Sequence, residues 1–138
     1  MPAVTLSANT FLSLPGVSAG SGTNSIFYHI CSGSDRLLIV SVVTITGGAT
    51  NPSYVYYNNV AMTFANTVNN PSSGTYIRTY YMMNPPTGNN TIIVRWAAAT
   101  RGGIVAASFN NVSSQYTPPF SIASNGSPTL TYQDICGS

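Results

Sequence analysis

Residues 35–46 read DRLLIVSVVTIT, the longest continuously apolar stretch in the chain, and they end on Gly47–Gly48. Valine, isoleucine and threonine run throughout. β-branched side chains lose rotamer freedom in a helix and pack well on a pleated surface, so this stretch reads as a buried strand. Side chains alternate across a strand. Leu38, Val40 and Val42 therefore share one side, and Leu37, Ile39, Val43 and Ile45 share the other. Neither side is polar. Such a strand belongs in the middle of a sheet, with a second layer over one side and something else, such as a neighbouring subunit, over the other.

Working outward, the pattern repeats in shorter pieces. Residues 25–31 (SIFYHIC) alternate Ile26, Tyr28 and Ile30 against Phe27, His29 and Cys31, and the turn SGSD leads into the central strand. After a loop at 47–52 come SYVYY (53–57) and VAMTFANTV (60–68). Between them lies Asn58–Asn59, a pair that tolerates the positive φ of a type I′ hairpin. TYIRTYYMM (75–83), TIIVRWAA (91–98), GIVAASFN (103–110) and TLTYQDI (129–135) complete the series, with 100–102 as the turn before GIVAASFN. No segment carries the 3.6-residue period of an amphipathic helix. Short strands at regular spacing with Gly, Pro and Asn punctuation predict an all-β, immunoglobulin-like or jelly-roll-type antiparallel sandwich of seven to eight strands. Residues 1–24 are expected as an N-terminal arm or edge strand and 25–138 as the sandwich domain. In the arm, Val4 and Leu6, then Phe11, Leu12 and Leu14, alternate in strand fashion until Pro15–Gly16 breaks the run.

Composition limits what this domain does. Its 138 residues suffice for one core. Only 4% are charged, against about 25% in an ordinary domain. Arg36, Arg78, Arg95 and Arg101 stand against Asp35 and Asp134, with no Lys and no Glu. A net charge of +2 on so few groups is neither a nucleic-acid footprint nor a polybasic membrane patch. No stretch approaches the ~20 apolar residues of a membrane span, and residues 1–22 lack the basic and apolar regions of a signal peptide. A surface of Asn, Ser, Thr, Gly and Tyr lacks the like-charge repulsion that keeps monomers apart.

The same inventory is poor in catalytic groups. The one histidine, His29, alternates with apolar residues and reads as a packing residue rather than a triad base. Asp35 belongs to a turn, where its carboxylate caps backbone N–H groups. A glycosidase pair would need Asp35 and Asp134 to converge. Zinc lacks ligands here, calcium lacks an Asp-rich loop, and no cofactor motif is present. Cys31 and Cys136 are either two free thiols or, the favoured reading, a disulfide closing a loop worth about 4–5 kcal/mol by chain entropy. Asn89, Asn111 and Asn125 each open an Asn-X-Ser/Thr triplet in a predicted loop, which marks possible glycosylation sites.

Four segments taken together, HICSGSDRLLIVSVVT (29–44), SYVYYNNVAMTFANTV (53–68), TYIRTYYMMNPPTGNNTIIVRWA (75–97) and GGIVAASFNNVSSQ (102–115), resemble an immunoglobulin-like β-sandwich module. That module recurs in bacteriophage structural proteins and in large secreted bacterial proteins. The resemblance spans about residues 25–115 and implies a fold through packing and turn motifs. It implies no catalytic residues. The module continues with further strands after the segment matching 127–131, whereas this chain stops at Ser138. An open sheet edge is therefore expected, filled by residues 1–14 either in the same subunit or in a neighbour.

Two functions follow as expectations. The first is a non-enzymatic structural subunit that assembles with copies of itself outside the cell. Its setting would be a bacteriophage virion surface, as a capsid decoration or tail protein on a capsid or tail scaffold, or a secreted filament joined by exchanged strands. The contact residues would be Tyr54, Tyr56, Tyr57, Tyr76, Tyr80 and Tyr81, with Arg78 and Arg95 stacked on Tyr80 or Trp96. The alternative is a module that binds surface glycans through the same tyrosines.

Overall fold

The computed structural model describes residues 3–19, 24–45, 52–70, 72–97, 100–112, 122–124 and 128–130, with side chains described for all of these except 11–19, 45, 100, 101, 122–124 and 128–130. Eleven strands lie among the described residues: β1 (Thr5–Ala19), β2 (Asn24–Cys31), β3 (Leu37–Ile45), β4 (Pro52–Tyr57), β5 (Val60–Ala61), β6 (Thr63–Asn70), β7 (Thr75–Met83), β8 (Gly88–Trp96), β9 (Thr100–Asn110), β10 (Ile122–Ser124) and β11 (Pro128–Leu130). They form a five-stranded sheet in the order β1-β9-β3-β7-β6, a four-stranded sheet β2-β8-β4-β5 and the small pair β10-β11. Every pairing is antiparallel. The architecture is an all-β sandwich of two sheets. Its nine sheet strands exceed the seven or eight expected.

β3 holds the middle of the larger sheet. Each of its residues is paired on both sides, from Leu37 opposite Met83 and Phe109 to Ile45 opposite Thr75 and Arg101. Its inward residues Leu38, Val40 and Val42 join Cys31, Val55, Tyr57, Ile92, Val94, Trp96, Ile104 and Ala106 in the core between the sheets. Burial of such side chains is what offsets the entropy of ordering the chain. The opposite side of β3 corrects an expectation. Leu37 and Ile39 are buried within the chain itself, in a second cluster with Ala107, Phe109 and Val112, flanked by Val4, Ala65, Tyr81 and Met83. A neighbouring subunit is not what buries them.

The Asn58–Asn59 turn forms as the residues dictate, with φ of 49° and 61°. The strand expected over 60–68 does not stay in one sheet. Ala61 pairs with Tyr56 in the four-stranded sheet, whereas Thr63 pairs with Tyr81 in the five-stranded one. Met62 makes the crossing, buried in the core with its N–H donating to the Val55 carbonyl at 2.9 Å. An unbranched thioether side chain suits so irregular a position.

The N-terminal arm lies in its own subunit. β1 runs along β9 from Thr5 opposite Asn110 to Leu14 opposite Gly102, and the ladder resumes at Ala19 opposite Thr100. Pro15 and Gly16 fall in the irregularity between, so they interrupt the strand without ending it. An edge strand tolerates a residue without an N–H. Of the arm residues singled out, Val4 packs on the second cluster and Leu6 is exposed. Phe11, Leu12 and Leu14 pair through their backbones with Val105, Ile104 and Gly102, and their side chains lie outside those described.

Candidate functional site: the outer face of the four-stranded sheet

β2 is one of the two edges of the smaller sheet, and its alternation decides the site. Phe27, His29 and Cys31 turn inward, leaving Ile26, Tyr28 and Ile30 on the outer face at 56%, 64% and 52% exposure. Register then aligns neighbours on β8 and β4. Asn24, Arg95 and Tyr54 form one row, and Ile26, Ile93 and Tyr56 the next. Tyr28 faces Thr91, and Ile30 faces Asn89. The Tyr54 and Tyr56 rings stack at 4.4 Å with 26° between planes. The Arg95 guanidinium lies 6.0 Å from the Tyr54 ring centre and donates to Asn24 Oδ1 at 3.5 Å. Among the described residues, Arg95 is the one charged side chain on this face. Scattered exposed apolar residues are ordinary, but a contiguous apolar row on a sheet face with so little charge marks a contact surface.

The singled-out tyrosines and arginines separate. Tyr54, Tyr56 and Arg95 reach this face. Tyr57 is buried in the core, Tyr76 and Tyr80 lie with Arg78 on the inward side of β7, and Tyr81 packs on the second cluster. The expected stacking partners are corrected too. Arg95 lies by Tyr54 and not Trp96, because adjacent residues of a strand point to opposite faces. Arg78 lies 4.9 Å from the Tyr76 ring and not over Tyr80. Ile26, Tyr28, Ile30 and Ile93 were not singled out from the sequence. Their alternation was visible, but both registers of β2 are apolar, and one residue of slip exchanges the faces.

Arg78 is 3% exposed, donates to Thr44 Oγ1 at 3.3 Å through Nη1, and has an Nε without an acceptor. Burial lowers its pKa, and the Tyr80 and Tyr76 hydroxyls act the other way. Asp35, the one carboxylate among the described residues, precedes the far end of β3 from Thr44. A desolvated cation with no counter-charge among the described residues costs more than a hydrocarbon of similar length. Arg78→Met is therefore expected to stabilise the fold by about 1–2 kcal/mol, read as a higher melting temperature. A fall of that size would mean that the Tyr76 and Thr44 contacts outweigh desolvation.

Between the sheets runs a chain of neutral polar groups. Thr10 Oγ1 and His29 Nδ1 are 2.9 Å apart, His29 Nε2 and Ser108 Oγ are 3.0 Å apart, and Ser108 donates to the Ile30 carbonyl at 3.3 Å. With the serine proton given to that carbonyl, His29 donates from Nε2 and accepts the threonine proton at Nδ1. Both ring nitrogens are occupied, and the imidazole is buried. Tyr57 donates to the His29 carbonyl at 3.3 Å and accepts from Asn90 Nδ2 at 3.3 Å. Burial pushes the Cys31 thiol pKa up, opposed by hydrogen bonds to Tyr57 and Ser108. It pushes the Tyr57 hydroxyl to about 12, helped by Cys31. Cys31 is a free thiol in this structure, held in this chain of hydroxyls, and no disulfide is seen among the described residues. Cys136 itself lies outside the described residues, as do Asp134 and Asn125.

Burial also lowers the pKa of His29 below its ordinary 6.5. A folded state that binds this proton less readily than the unfolded chain keeps the full contribution above pH 6.5. It loses that contribution as pH falls from there through the lowered folded value. His29 is the only histidine in the chain. Melting temperature is therefore expected to be level from about pH 7 to 8 and to fall below about pH 6.5. A melting temperature that rises on acidification would contradict a buried neutral imidazole.

The remaining sequence candidates settle locally. Asp35 takes φ of 48°, and its backbone carbonyl accepts from Val112 N–H at 2.9 Å, so the turn is tied through backbone. Asn89 lies in β8 rather than in a loop, paired with Ile30. Asn111 donates through Nδ2 to the Ala3 carbonyl at 3.0 Å. Among the described residues no group of three or more His, Cys, Asp or Glu comes together, and no helix is long and apolar enough to cross a membrane. Set against protein-family models, curated proteins and solved structures, the chain matches none of them. The resemblance noted above thus holds at the level of a two-sheet antiparallel β-sandwich.

Proposed function

We propose that this chain is a non-enzymatic structural subunit that assembles with copies of itself in an extracellular setting. The immunoglobulin-like resemblance favours a bacteriophage virion surface, as a capsid decoration or tail protein seated on a capsid or tail scaffold, with a secreted filament as the other setting. One observation carries the reading: Ile26, Tyr28 and Ile30 stand exposed in a row beside Ile93, Tyr54 and Tyr56, on a face with a single charge among the described residues. Apolar area left in water on a sheet face is stabilised by covering it. The sparsely charged composition leaves little repulsion to oppose a second copy. Contact therefore runs through the sheet face, with the N-terminal arm retained in its own subunit.

A second reading has its own observation. The stacked Tyr54–Tyr56 pair, flanked by Arg95 and Asn24, offers an aromatic platform with hydrogen-bond donors and acceptors at one end, the chemistry that recognises a sugar ring. Sedimentation velocity over a range of concentrations, beside electrophoresis through polysaccharide gels, separates the two. Large particles or fibres without retardation by sugar support assembly. A monomer at high concentration that polysaccharide retards would replace assembly with glycan binding.

A further inference from the structure

On one flank of the sandwich, β1, an edge of the larger sheet, lies against β2, an edge of the smaller one. The two strands belong to different sheets, and side chains join them. The Ser7 and Ser32 hydroxyls are 2.9 Å apart, and Thr10 Oγ1 is 2.9 Å from His29 Nδ1. From β9, Ser108 reaches His29 Nε2 at 3.0 Å and donates to the Ile30 carbonyl. The serine pair is exposed, so water replaces that bond at little cost. His29 is 1% exposed, and it is the titratable group in this set of bonds.

β1 is also loosely fastened. Its ladder runs to β9 on one side, with register breaks between Leu6 and Ala8 and again between Leu14 and Ala19. β9 keeps an unbroken ladder with β3, and β2 with β8, whether or not β1 lies beside them. Opening an edge strand costs less than unfolding the whole domain.

We propose that His29 is an acid-operated latch for the N-terminal arm: acidification below about pH 6 charges the imidazole, and β1 lets go of β2 and β9 while the other strands stay folded. The inference goes beyond the assembly reading and does not depend on it. In the neutral state Thr10 donates to Nδ1. A charged imidazole carries a proton on each nitrogen, so this bond must reverse and the Thr10 hydroxyl must turn its own proton away. The charge is also held away from water. The groups facing His29 are Thr10 from β1, Ser108 from β9, Asn90 opposite it on β8, Tyr57 from β4 and Cys31 on its own strand. Cys31 and Tyr57 are neutral, since burial pushes both of their pKa values up, and the charge felt at both is the Arg36 cation. Among the described residues none of these groups supplies a counter-charge. Detaching β1 hydrates the imidazole and restores its ordinary 6.5. Each pH unit below 6.5 therefore favours the detached form up to about ten-fold, until the lowered value of the latched form is reached.

Hydrogen exchange of the full chain, read by mass spectrometry at about pH 7.5 and about pH 5 and corrected for intrinsic rates, tests the latch. Protection of residues 5–14 is expected to fall roughly ten- to thirty-fold on acidification and to lie about ten-fold or more below that of residues 37–45 at the lower pH. His29→Gln, neutral at both values, should lose this pH dependence. Thr10→Val keeps the shape and removes the hydroxyl, and it should lower protection of the arm roughly five-fold already at the higher pH. Arm protection that ignores pH, or that falls equally in His29→Gln, would overturn the latch. So would protection equal to that of 37–45 at about pH 5, because the arm would then open only with the whole domain. If His29→Gln does not fold, wild type and Thr10→Val decide, and an arm unaffected by Thr10→Val overturns the proposal.

Discussion

Tyr28→Lys is expected to convert assembled protein into monomer while leaving its melting temperature almost unchanged. The tyrosine is 64% exposed and sits between Ile26 and Ile30 on the outer face of the four-stranded sheet. Nothing in its own chain depends on an apolar side chain there, and surface changes of this kind fall within about 0.5 kcal/mol of neutral. In an assembled contact the same position is desolvated. A buried ammonium without a partner costs several kcal/mol, and a symmetric contact introduces it twice. At the ~2 kcal/mol typical of a central contact residue, affinity falls roughly thirty-fold or more. Val60→Lys is the control, because Val60 is similarly exposed at 54% but sits at the β5 edge, in register with the inward-facing Tyr57. Sedimentation should show loss of particles for Tyr28→Lys and their retention for Val60→Lys. Retention of particles by Tyr28→Lys would remove this face from the assembly contact.

Gly102→Ala is expected to destabilise the fold by about 3 kcal/mol or more, one of the larger effects available to a single methyl group. Gly102 lies within β9, opposite Thr44 on one side and Leu14 on the other. At its φ of 153°, an added Cβ overlaps the Val43 carbonyl oxygen and meets its carbon at 2.8 Å and Thr44 Cα at 3.2 Å. All three are backbone atoms of β3, and both β3 and β9 are held from both sides, so neither strand withdraws without breaking a ladder. Gly88→Ala isolates the cause. Gly88 also has positive φ, 92°, but a Cβ there meets nothing within 4 Å. Backbone strain alone should cost it about 1 kcal/mol. Denaturant unfolding that places the two variants within a few tenths of a kcal/mol of each other would contradict the close approach at Gly102.

Gly102 also shows where local reading stops. Thr-Arg-Gly between two apolar runs has the composition of a turn. In the structure these residues continue β9, and the glycine is required by the nearness of a strand more than fifty positions away in sequence. The same holds for Met62, which reads as one more residue of an alternating run and is the point where the chain changes sheets. The site depends on a choice of the same kind. Ile26, Tyr28 and Ile30 compete for the interior with Phe27, His29 and Cys31. Thr10 and Ser108, on two other strands, supply the hydroxyls that allow the histidine face to be the buried one.

By itself the sequence determined what depends on neighbours within a few residues. That covers the β-class, from β-branched alternation without helical period, the central rank of 37–45, apolar on both sides, and the Asn58–Asn59 hairpin, from residues that tolerate positive φ. Composition added a surface with very little charge. Only the tertiary structure decided that the arm returns to β9 of its own subunit, that the Cys31 side chain lies among hydroxyls, and that an isoleucine–tyrosine row on the outer face of the smaller sheet is left facing water. These outcomes are set by pairings between segments distant along the chain, whose register no local pattern encodes, because a slip of one residue leaves the pattern intact and reverses every face.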